Sequence, residues 1–346
     1  MKHRPRTLLA ALLAVTSLVA VGCGGDSDDT ASDGGDGGSS TELTKLRIGY
    51  SAWPGWLPLA VAEQQGIFEE AGLDVELTYF ADYTASLDAL VAGQIDVNAQ
   101  TLNDTIFAVA SGAEQVVVVV NDNSTGNDQI ICDESITSVA DMLGKTIAAE
   151  EGVVDHFLLL QGLAAEGLTQ DDIDFQGVKT DAAAAAFAGG TFDCVGVFAP
   201  FTVQALERPG SKAVFTSADF PGAIPDHLVA TAEAAEDTDA MQKLVNAWYA
   251  TLDALEADPE GTRKIMADQA QVSVEEYADF ESGTTLFDAE TALNAFEDRP
   301  DDPTSLPEMA RRINPFLVES GLAEKEADLD GLFDPSFTQA YVDASS

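Results

Sequence analysis

The sequence predicts an α/β protein of two similar lobes, each built on a mainly parallel sheet, around a central ligand cleft and followed by a helical C-terminal region. Three observations support this prediction. A pattern in residues 45–98 returns in residues 145–195, an offset of about a hundred residues. Both segments alternate predicted strands and helices, as parallel sheets flanked by helices do. Residues 115–120 form a continuous apolar run, typical of a strand buried on both faces.

The first lobe comprises residues 44–125 and 228–346. Its repeat copy reads strand, helix, strand, helix, strand, and a further helix and the apolar strand follow. The first helix carries apolar side chains on one face and has Gly72 as its stop signal. The predicted strands are 46–51, 74–80, 95–100 and 115–120, and the predicted helices are 57–70, 84–92 and 103–111.

The second lobe comprises residues 126–227. Its repeat copy ends on Gly190-Thr191-Phe192-Asp193, as the first copy ends on Gly93-Gln94-Ile95-Asp96. Two further strands, 213–216 and 228–231, are predicted to return the chain to the first lobe. The other predicted strands are 129–132, 145–149, 173–178 and 193–198, and the predicted helices are 138–143, 154–166 and 181–187.

From Asp237 onward the pattern becomes helical. Leu244, Trp248, Leu252 and Leu255 recur with helical spacing and define one apolar face. Further helices are predicted over 272–282, 288–296 and 306–320, the last broken near Pro315, and the tail around Leu332, Phe333 and Tyr341 is predicted to wrap the first lobe.

The chain is strongly acidic, with 60 Asp and Glu against 16 Lys and Arg and a net charge of -44. This charge excludes nucleic acid as a partner. An acidic, solvated surface explains most of it, and a surface suited to a cationic ligand is the alternative.

The N-terminus predicts export. Three basic residues precede an apolar stretch at 8–21, which is too short to span a bilayer and suits a signal peptide. The stretch ends in Leu18-Val19-Ala20-Val21-Gly22-Cys23, which resembles the lipobox of bacterial lipoproteins. We therefore expect a signal peptide over 1–22, a lipidated Cys23, and a flexible Gly/Ser/Asp tether over 23–43. An ordinary secretory signal is the alternative. Lipidation would hold the protein on the outer face of the cytoplasmic membrane.

Ligands of open α/β sheets bind in the loops after the strands. In the first lobe, the loop at 51–58 contains two tryptophans that can form aromatic walls or pack in the core. Backbone N–H groups at the following helix start can hold an anion. The next two loops offer hydroxyls and carboxylates, which serve either as helix N-caps or as ligand contacts. The candidate binding residues here are Trp53, Trp56, Asp82, Tyr83, Thr101 and Asp104.

The crossing between lobes and the second lobe supply the remaining candidates. Residues 121–128 are polar and lie between two strands, as a hinge would, and Ser124 and Thr125 are the candidates there. The matching loops of the second lobe offer Val154, Asp155, Thr180 and Phe201, of which Asp155 and Thr180 can also cap helices.

No enzyme motif is found in the sequence. It contains no nucleophile elbow, zinc-protease signature, phosphate loop or dinucleotide fingerprint. His156 and His227 lack zinc-ligand spacing, and His156 is interpreted as a structural residue. We expect no catalytic residue, no metal and no cofactor.

Residues 45–231 resemble the solute-binding proteins of ABC importers in the nitrate, sulfonate and taurine group, which includes binders of thiamine-pyrimidine precursors. The resemblance rests on short motifs: Ile48-Gly49-Tyr50 with Trp53-Pro54-Gly55, Gly72-Leu73-Asp74-Val75, Gly93-Gln94-Ile95-Asp96, and Asn123-Ser124-x-Gly126-x-Asp128. It implies a type II periplasmic-binding-protein fold, a monomer that closes like a clamshell, and delivery of solute to a permease and ATPase complex. The ligand it implies is a sulfonate, a taurine-like zwitterion, an amine or a pyrimidine-like molecule.

One departure from the family leaves the ligand charge open. Ala199-Pro200-Phe201 stands where members often carry an acidic residue before the proline. Lys179 is the only base in the predicted cleft loops, and Asp104 and Asp155 can pair with an amine.

The sequence leaves two further questions open, a disulfide bond and alternative functions. Cys132 and Cys194 are candidates for a disulfide in an oxidising compartment, and the resemblance implies that their strands are neighbours. The alternatives in function are a pyrimidine-precursor binding or synthesis protein of the same fold, and a sensor or adhesin that serves no permease. The synthases of that fold resemble one another in a cysteine-rich iron site, which this chain lacks.

Overall fold

The computed structural model describes residues 42–345. The predicted signal peptide, Cys23 and nearly all of the predicted tether lie outside this range. Within it, no helix combines the length and the apolar character that crossing a membrane requires.

Strands and helices alternate through the first two thirds of the described chain, and helices dominate the rest. The strands are β1 Thr44–Tyr50, β2 Leu73–Tyr79, β3 Val97–Thr101, β4 Gln115–Ser124, β5 Asp128–Cys132, β6 Thr146–Ala149, β7 Asp174–Gly177, β8 Cys194–Phe198, β9 Lys212–Thr216, β10 Pro225–Thr231 and β11 Thr284–Leu286. The helices are α1 Pro58–Gln64, α2 Ile67–Glu70, α3 Tyr83–Val91, α4 Leu102–Ala110, α5 Val154–Ala165, α6 Thr180–Ala188, α7 Phe201–Leu206, α8 Ala232–Ala235, α9 Thr238–Ala257, α10 Pro259–Ala270, α11 Val274–Ser282, α12 Ala289–Phe296, α13 Leu306–Glu319 and α14 Ser336–Ser345, with short 3-10 helices at Val139–Met142, Gln170–Asp172 and Ser217–Asp219.

Two sheets share one plan. Sheet 1 has the order β11-β4-β10-β3-β1-β2, and sheet 2 has the order β7-β6-β8-β5-β9. β1 pairs in parallel with β2 and β3, and β6 pairs in parallel with β7 and β8. Antiparallel strands extend each parallel trio: β10, β4 and β11 in sheet 1, and β5 and β9 in sheet 2. The predicted repeat is therefore confirmed in the strand order β2-β1-β3 and β7-β6-β8.

The two repeat copies also share a hydrogen bond. In the first copy (β1 to β3), Asp96 accepts from the backbone N–H of Arg47 at 2.8 Å. In the second copy (β6 to β8), Asp193 accepts from the backbone N–H of Thr146 at 2.9 Å. Each aspartate closes the Gly-x-x-Asp motif before the third strand of its copy. In each copy the aspartate therefore gives a hydrogen-bond partner to a main-chain N–H at the start of the parallel trio.

The core lies between the sheets and their helices. Residues 117–120 of β4 are fully buried, which confirms the interpretation of that apolar run. Leu244 and Trp248 of α9 are buried and Leu252 and Leu255 are partly buried, so the predicted apolar face of this helix is confirmed.

The structure corrects several predicted elements. The helix predicted over 57–70 is two helices, separated at Gly66, whose φ of 75° is left-handed. β9 remains in sheet 2, so β10 alone returns the chain to sheet 1. α13 continues through Pro315, where a break was predicted. Five of the numbered elements were not predicted: α7, α8, α10, β11 and α14.

The C-terminal part of the chain covers the edge of sheet 1, as the predicted wrapping tail requires. β11 pairs with the end of β4, and the backbone of Leu332 and Asp334 bonds to Val117 at its beginning. Tyr341 of α14 packs on Tyr249, with ring centroids 4.7 Å apart.

The chain passes between the two sheets at residues 125–127 and 217–224. These crossings are joined by Ser217, whose hydroxyl lies 2.7 Å from that of Ser124 and accepts from the Gly126 N–H at 2.8 Å. Because β4 extends to Ser124, residues 121–124 belong to a strand, and the crossing is shorter than the segment 121–128 predicted as a hinge.

Candidate functional site

The carboxyl ends of the parallel strands of both sheets meet around one small enclosed cavity. It measures about 10 Å³ and is lined by side chains from both sheets. A wider outer cleft of about 150 Å³ adjoins it. The enclosed cavity is lined by Trp53, Trp56, Tyr83, Thr101, Asp128, Val154, Phe198, Ile224 and Asp226.

Four aromatic rings form a closed ring of contacts in this cavity, which we call the aromatic box: Trp53, Trp56, Tyr83 and Phe198. Successive centroid distances around the box are 6.4, 5.2, 6.3 and 6.4 Å. The first three residues precede or begin helices of the first copy, whereas Phe198 ends β8 of sheet 2. Phe201 packs edge-on against Phe198 at 5.3 Å on the outer side.

Side chains of β4 and α11 hold the aromatic loop after β1 in place. The indole N–H of Trp53 donates to Asp122 on β4 at 3.0 Å. Gly55 permits this approach, because a Cβ at that position would lie 2.0 Å from the Asp122 carboxylate. Tyr277 of α11 donates its hydroxyl to the Pro54 carbonyl at 3.0 Å. The box walls are thus positioned by elements that lie far away in the sequence.

Asp104 fixes the second side of the box. Its carboxylate accepts from the Tyr83 hydroxyl at 2.8 Å and from the Thr101 hydroxyl at 2.7 Å. The Asn103 amide donates to its other oxygen at 2.8 Å. Neither Asp82 nor Thr101, the N-cap residues of α3 and α4, makes a side-chain capping bond. Helix capping therefore does not explain these polar residues.

A second polar network lies on the sheet 2 side. The Thr180 hydroxyl lies 2.7 Å from an Asp155 oxygen and 2.9 Å from a Glu150 oxygen, and the Thr180 backbone N–H donates to Glu150 at 3.1 Å. Both Asp155 and Thr180 lie inside the first turns of their helices, so neither is the N-cap that the sequence allowed. Two contacts cross the rim of the cleft: Thr84 donates to Glu150, and Lys179 pairs with Asp82.

Three more carboxylates lie at the floor of the site. In sheet 1, Asp226 of β10 stands directly opposite Thr101 of β3 and Asp122 of β4. In sheet 2, Asp128 stands opposite Phe198. All three aspartates are buried, and one oxygen of Asp128 and both oxygens of Asp226 accept no hydrogen bond from the described residues.

Burial dominates the titration of these acids. Loss of hydration raises the pKa of Asp104, Asp122 and Asp128 to about 7. Burial and the like charges of the neighbouring carboxylates raise the pKa of Asp155 and Asp226 well above the ordinary value. Asp122 and Asp226 face each other, and two carboxyl groups can bond only when one of them holds a proton.

The structure brings most of the predicted candidates together. Trp53, Trp56, Tyr83, Thr101 and Val154 line the enclosed cavity. Asp82, Thr180 and Phe201 line the outer cleft, and Asp104 and Asp155 support these residues from behind. Ser124 and Thr125 lie elsewhere, on a separate groove of about 320 Å³ beside the crossings.

Five residues of the site were not among the sequence candidates: Asp122, Asp128, Phe198, Ile224 and Asp226. Asp226 is the most informative, because it interrupts the otherwise apolar approach to β10. An aspartate between Pro225 and an apolar strand was a usable signal. His156 is buried, stacks on Phe175 at 4.2 Å and accepts from the Gly152 N–H at 3.2 Å, which agrees with the structural role assigned to it.

Cys132 and Cys194 stand directly opposite each other on β5 and β8, and their sulfurs are bonded in the structure. Within residues 42–345, no group of three or more His, Cys, Asp or Glu side chains is arranged to hold a metal ion.

The comparisons with known proteins agree with this architecture. The sequence profile of the NMT1-like family matches residues 39–270. A Brucella abortus protein described as a binding protein is 28% identical over 269 residues, which cover 76% of this chain and 77% of that protein. An Escherichia coli protein described as binding aliphatic sulfonates is 30% identical over 178 residues, or 50% of this chain and 55% of its own length.

Among solved structures, the periplasmic aliphatic sulphonate binding protein SsuA of Escherichia coli has a similar fold. The TM-score is 0.69 at 23% identity, over 86% of this chain and 99% of SsuA. The expected periplasmic-binding-protein fold is therefore confirmed.

Proposed function

The chain belongs to the NMT1-like family, and on that premise we propose that it is an extracytoplasmic solute-binding protein. In this proposal it captures a small polar molecule between two lobes and delivers it to the permease of an ABC importer. The lobes correspond to residues 44–125 with 228–346 and to residues 126–227.

One observation carries the proposal. The enclosed cavity draws its walls from both sheets, and the chain crosses between those sheets only twice within the described residues. A solute in this cavity would contact both lobes at once, so binding would favour their closure. A cavity between two such units, lined by aromatic walls and a few polar groups, is the usual form of a small-molecule site. The binding proteins among its relatives support the same function.

We further propose that the protein acts as a monomer, held on the outer face of the cytoplasmic membrane by lipid on Cys23. The lipobox-like sequence before Cys23 supports the anchor, and the periplasmic location of SsuA supports the compartment. Metabolic labelling with a palmitate analogue should mark the wild-type protein and not the Cys23→Ala variant. Labelling of both proteins would contradict lipidation of Cys23 and would not bear on the solute-binding function.

Thermal unfolding of the purified protein against a panel of solutes tests the function. The panel holds taurine, alkanesulfonates, nitrate, bicarbonate, pyrimidines, amines and amino acids. A ligand at about a thousand times its Kd stabilises the folded state by roughly 4 kcal/mol, which raises the midpoint by several degrees. A shift with one chemical class supports the proposal, and a flat response to the whole panel contradicts it.

Recovery of the bound solute separates binding from catalysis. A binding protein returns the solute unchanged and in a stoichiometric amount after prolonged incubation, whereas a synthase or hydrolase of the same fold converts it. Mass spectrometry of the solute released by denaturation distinguishes these outcomes. A deletion strain that still takes up the solute at the wild-type rate would instead favour a sensor or adhesin.

A further inference from the structure

On the premise of the solute-binding function above, we propose that the ligand is a small organic cation. Its ammonium group lies in the aromatic box and is neutralised by Asp128 and Asp226. Sulfonate binding among the relatives would then not extend to this chain.

The aromatic box is the first support. Four rings line one small cavity, and the face of an aromatic ring carries negative partial charge whereas its edge is positive. Ammonium groups are attracted to such faces, and the attraction grows when water is excluded. The box residues are all buried, so a bound cation would be removed from water here.

Buried carboxyl groups that no cationic side chain neutralises are the second and independent support. Asp226 is 0% exposed, and its hydrogen-bond partner is the carboxyl group of Asp122, which brings no positive charge to it. Asp128 is 2% exposed, and one of its oxygens accepts no hydrogen bond from the described residues. Both side chains line the same cavity as the box. Burying an unpaired carboxylate is costly, and an incoming cation offsets that cost. Asp104 differs, because three donors from the protein already satisfy it.

The lack of opposing positive charge is the third support. No lysine or arginine lines the enclosed cavity in the part of the chain that the structure describes. Lys179 lines the outer cleft, where it pairs with Asp82 at the rim. A sulfonate in the box would therefore lie beside Asp128 and Asp226 with no positive side chain against it, and like charges at this depth repel strongly.

The placement of the two carboxylates also gives the cation a role in closure. Asp226 belongs to sheet 1 and Asp128 to sheet 2. The cavity of about 10 Å³ has room for roughly one water molecule, so the walls must separate before a solute enters. A cation between the two carboxylates then draws the sheets together by attraction to both.

Isothermal titration of the purified protein tests the proposal with named probes. Choline represents quaternary ammonium ions, putrescine represents primary amines, butanesulfonate represents the anionic alternative, and taurine is a zwitterion that carries both an ammonium and a sulfonate group. We expect binding of choline, of putrescine or of both, and no binding of butanesulfonate. Choline alone would assign recognition to the rings, and putrescine alone would assign it to the unpaired carboxylate oxygens, which accept N–H donors.

The outcomes separate this inference from the function on which it rests. Binding of butanesulfonate without either cationic probe overturns the cation proposal and supports the solute-binding function. Binding of taurine alone likewise overturns the proposal that the ligand is a cation, and assigns a zwitterion to the site. Heat from none of the four probes overturns the cation proposal, and the larger panel then decides the function by itself.

Isosteric variants locate the charge. Asp226→Asn and Asp128→Asn should each weaken binding of the cationic probe by at least about thirtyfold, because each removes one partner of a buried charge pair. Asp253→Asn is the matched control, because Asp253 is exposed on α9 and lines neither the cavity nor the outer cleft, and the Kd of this variant should differ from that of the wild type by about twofold or less. Equal effects of all three substitutions would overturn the proposal. Midpoints of thermal unfolding at or above that of the wild type would show that the variants are folded.

The pH dependence of the wild-type protein gives a test that needs no variant. A cation binds best to ionised carboxylates, so its Kd should rise as the pH falls from 8 to about 5.5. A sulfonate would show the opposite trend, which would overturn the proposal. The acidic groups that face the site from the elements around it are Asp104, Asp122, Asp128, Glu150, Asp155 and Asp226, and the base at its rim is Lys179.

Discussion

The first and second repeat copies share their main-chain plan and differ in the side chains that meet the rest of the protein. Both have the same strand order and the same aspartate bonded to a free backbone N–H. After its first strand, however, the first copy places a stiff aromatic loop, and the second places Glu150 and Glu151. The comparison teaches that contacts within a copy are retained, whereas residues that face the cleft or a neighbouring strand diverge.

The strand next to each trio shows this divergence most clearly. Val97 of the first copy pairs with Ala230 on β10, whereas Cys194 of the second copy pairs with Cys132 on β5. One copy uses apolar packing where the other uses a covalent bond. Four predictions test the comparison.

The largest effect on stability is expected when the disulfide of the second copy is replaced by the apolar pair that stands at the same place in the first copy. The double change Cys132→Ala with Cys194→Val removes a bond that closes a loop with a sequence separation of 62 residues. It should lower the free energy of unfolding by about 2–5 kcal/mol. Urea unfolding of the variant and of the wild type, with and without reductant, measures this. Two free thiols in the native, unreduced wild-type protein would contradict it.

The second effect concerns the buried acids that lie where the two sheets meet. Unfolded aspartates release protons near pH 3.8, whereas Asp104, Asp122 and Asp128 hold theirs to about 7 in the folded protein. The folded state therefore binds more protons between these values, and its stability falls as the pH rises from about 4 to about 7.

Thermal unfolding of the ligand-free protein between pH 5 and pH 7.5 checks this trend. Asp104→Asn should flatten it, and the exposed control Asp181→Asn should leave it unchanged. A midpoint that rises toward neutral pH would contradict the burial of these acids.

The third effect tests a packing difference. Gly49 of the first copy has no room for a Cβ, which would lie 2.5 Å from Ile95 and 2.9 Å from Asn98, whereas its counterpart in the second copy is Ala148. Gly49→Ala should destabilise the protein by about 1–3 kcal/mol through overpacking. Ala148→Gly, the reciprocal control, should cost roughly 0.5–1 kcal/mol. Urea unfolding measures both, and an equal or smaller cost for Gly49→Ala would refute the difference.

The smallest effect tests what the copies share. Asp193→Ala leaves the Thr146 N–H without its partner and should cost about 1 kcal/mol. Asp96→Ala should cost somewhat more, because Asp96 also pairs with Arg47. Arg47→Met isolates that partly exposed ion pair and should cost less than about 1 kcal/mol. An Asp193→Ala variant as stable as the wild type would show that the shared bond is not what retains the aspartate.

Local sequence patterns were sufficient for the repeat copies and for the aromatic half of the site. The turn residues and alternating apolar strands of each copy are contiguous in the chain, and Trp53, Trp56 and Tyr83 follow strands directly. These features depend on contacts between near neighbours in sequence. The same holds for the buried run of β4.

The acidic floor depended on pairings that no local pattern reveals. Asp226 reaches the site because β10 inserts antiparallel between β3 and β4, which places it opposite Thr101 and Asp122. The predicted strand began at Leu228, since Pro225 favours a break, so the aspartate stayed outside it. The prediction at Pro315 placed a break in a helix that the structure shows to be continuous, with Leu317 buried beyond the proline.

Because late segments of the chain cover β4, sheet 1 can be completed only after the C-terminal part of the chain has been made. Two segments pair with β4 at the edge of sheet 1: β11, and later in the chain the segment around Leu332 and Asp334. A ribosome makes these segments after every other strand of the sheet. The edge at β4 therefore stays without its partners until residue 334 has been made, and an unpaired strand edge can pair with other chains.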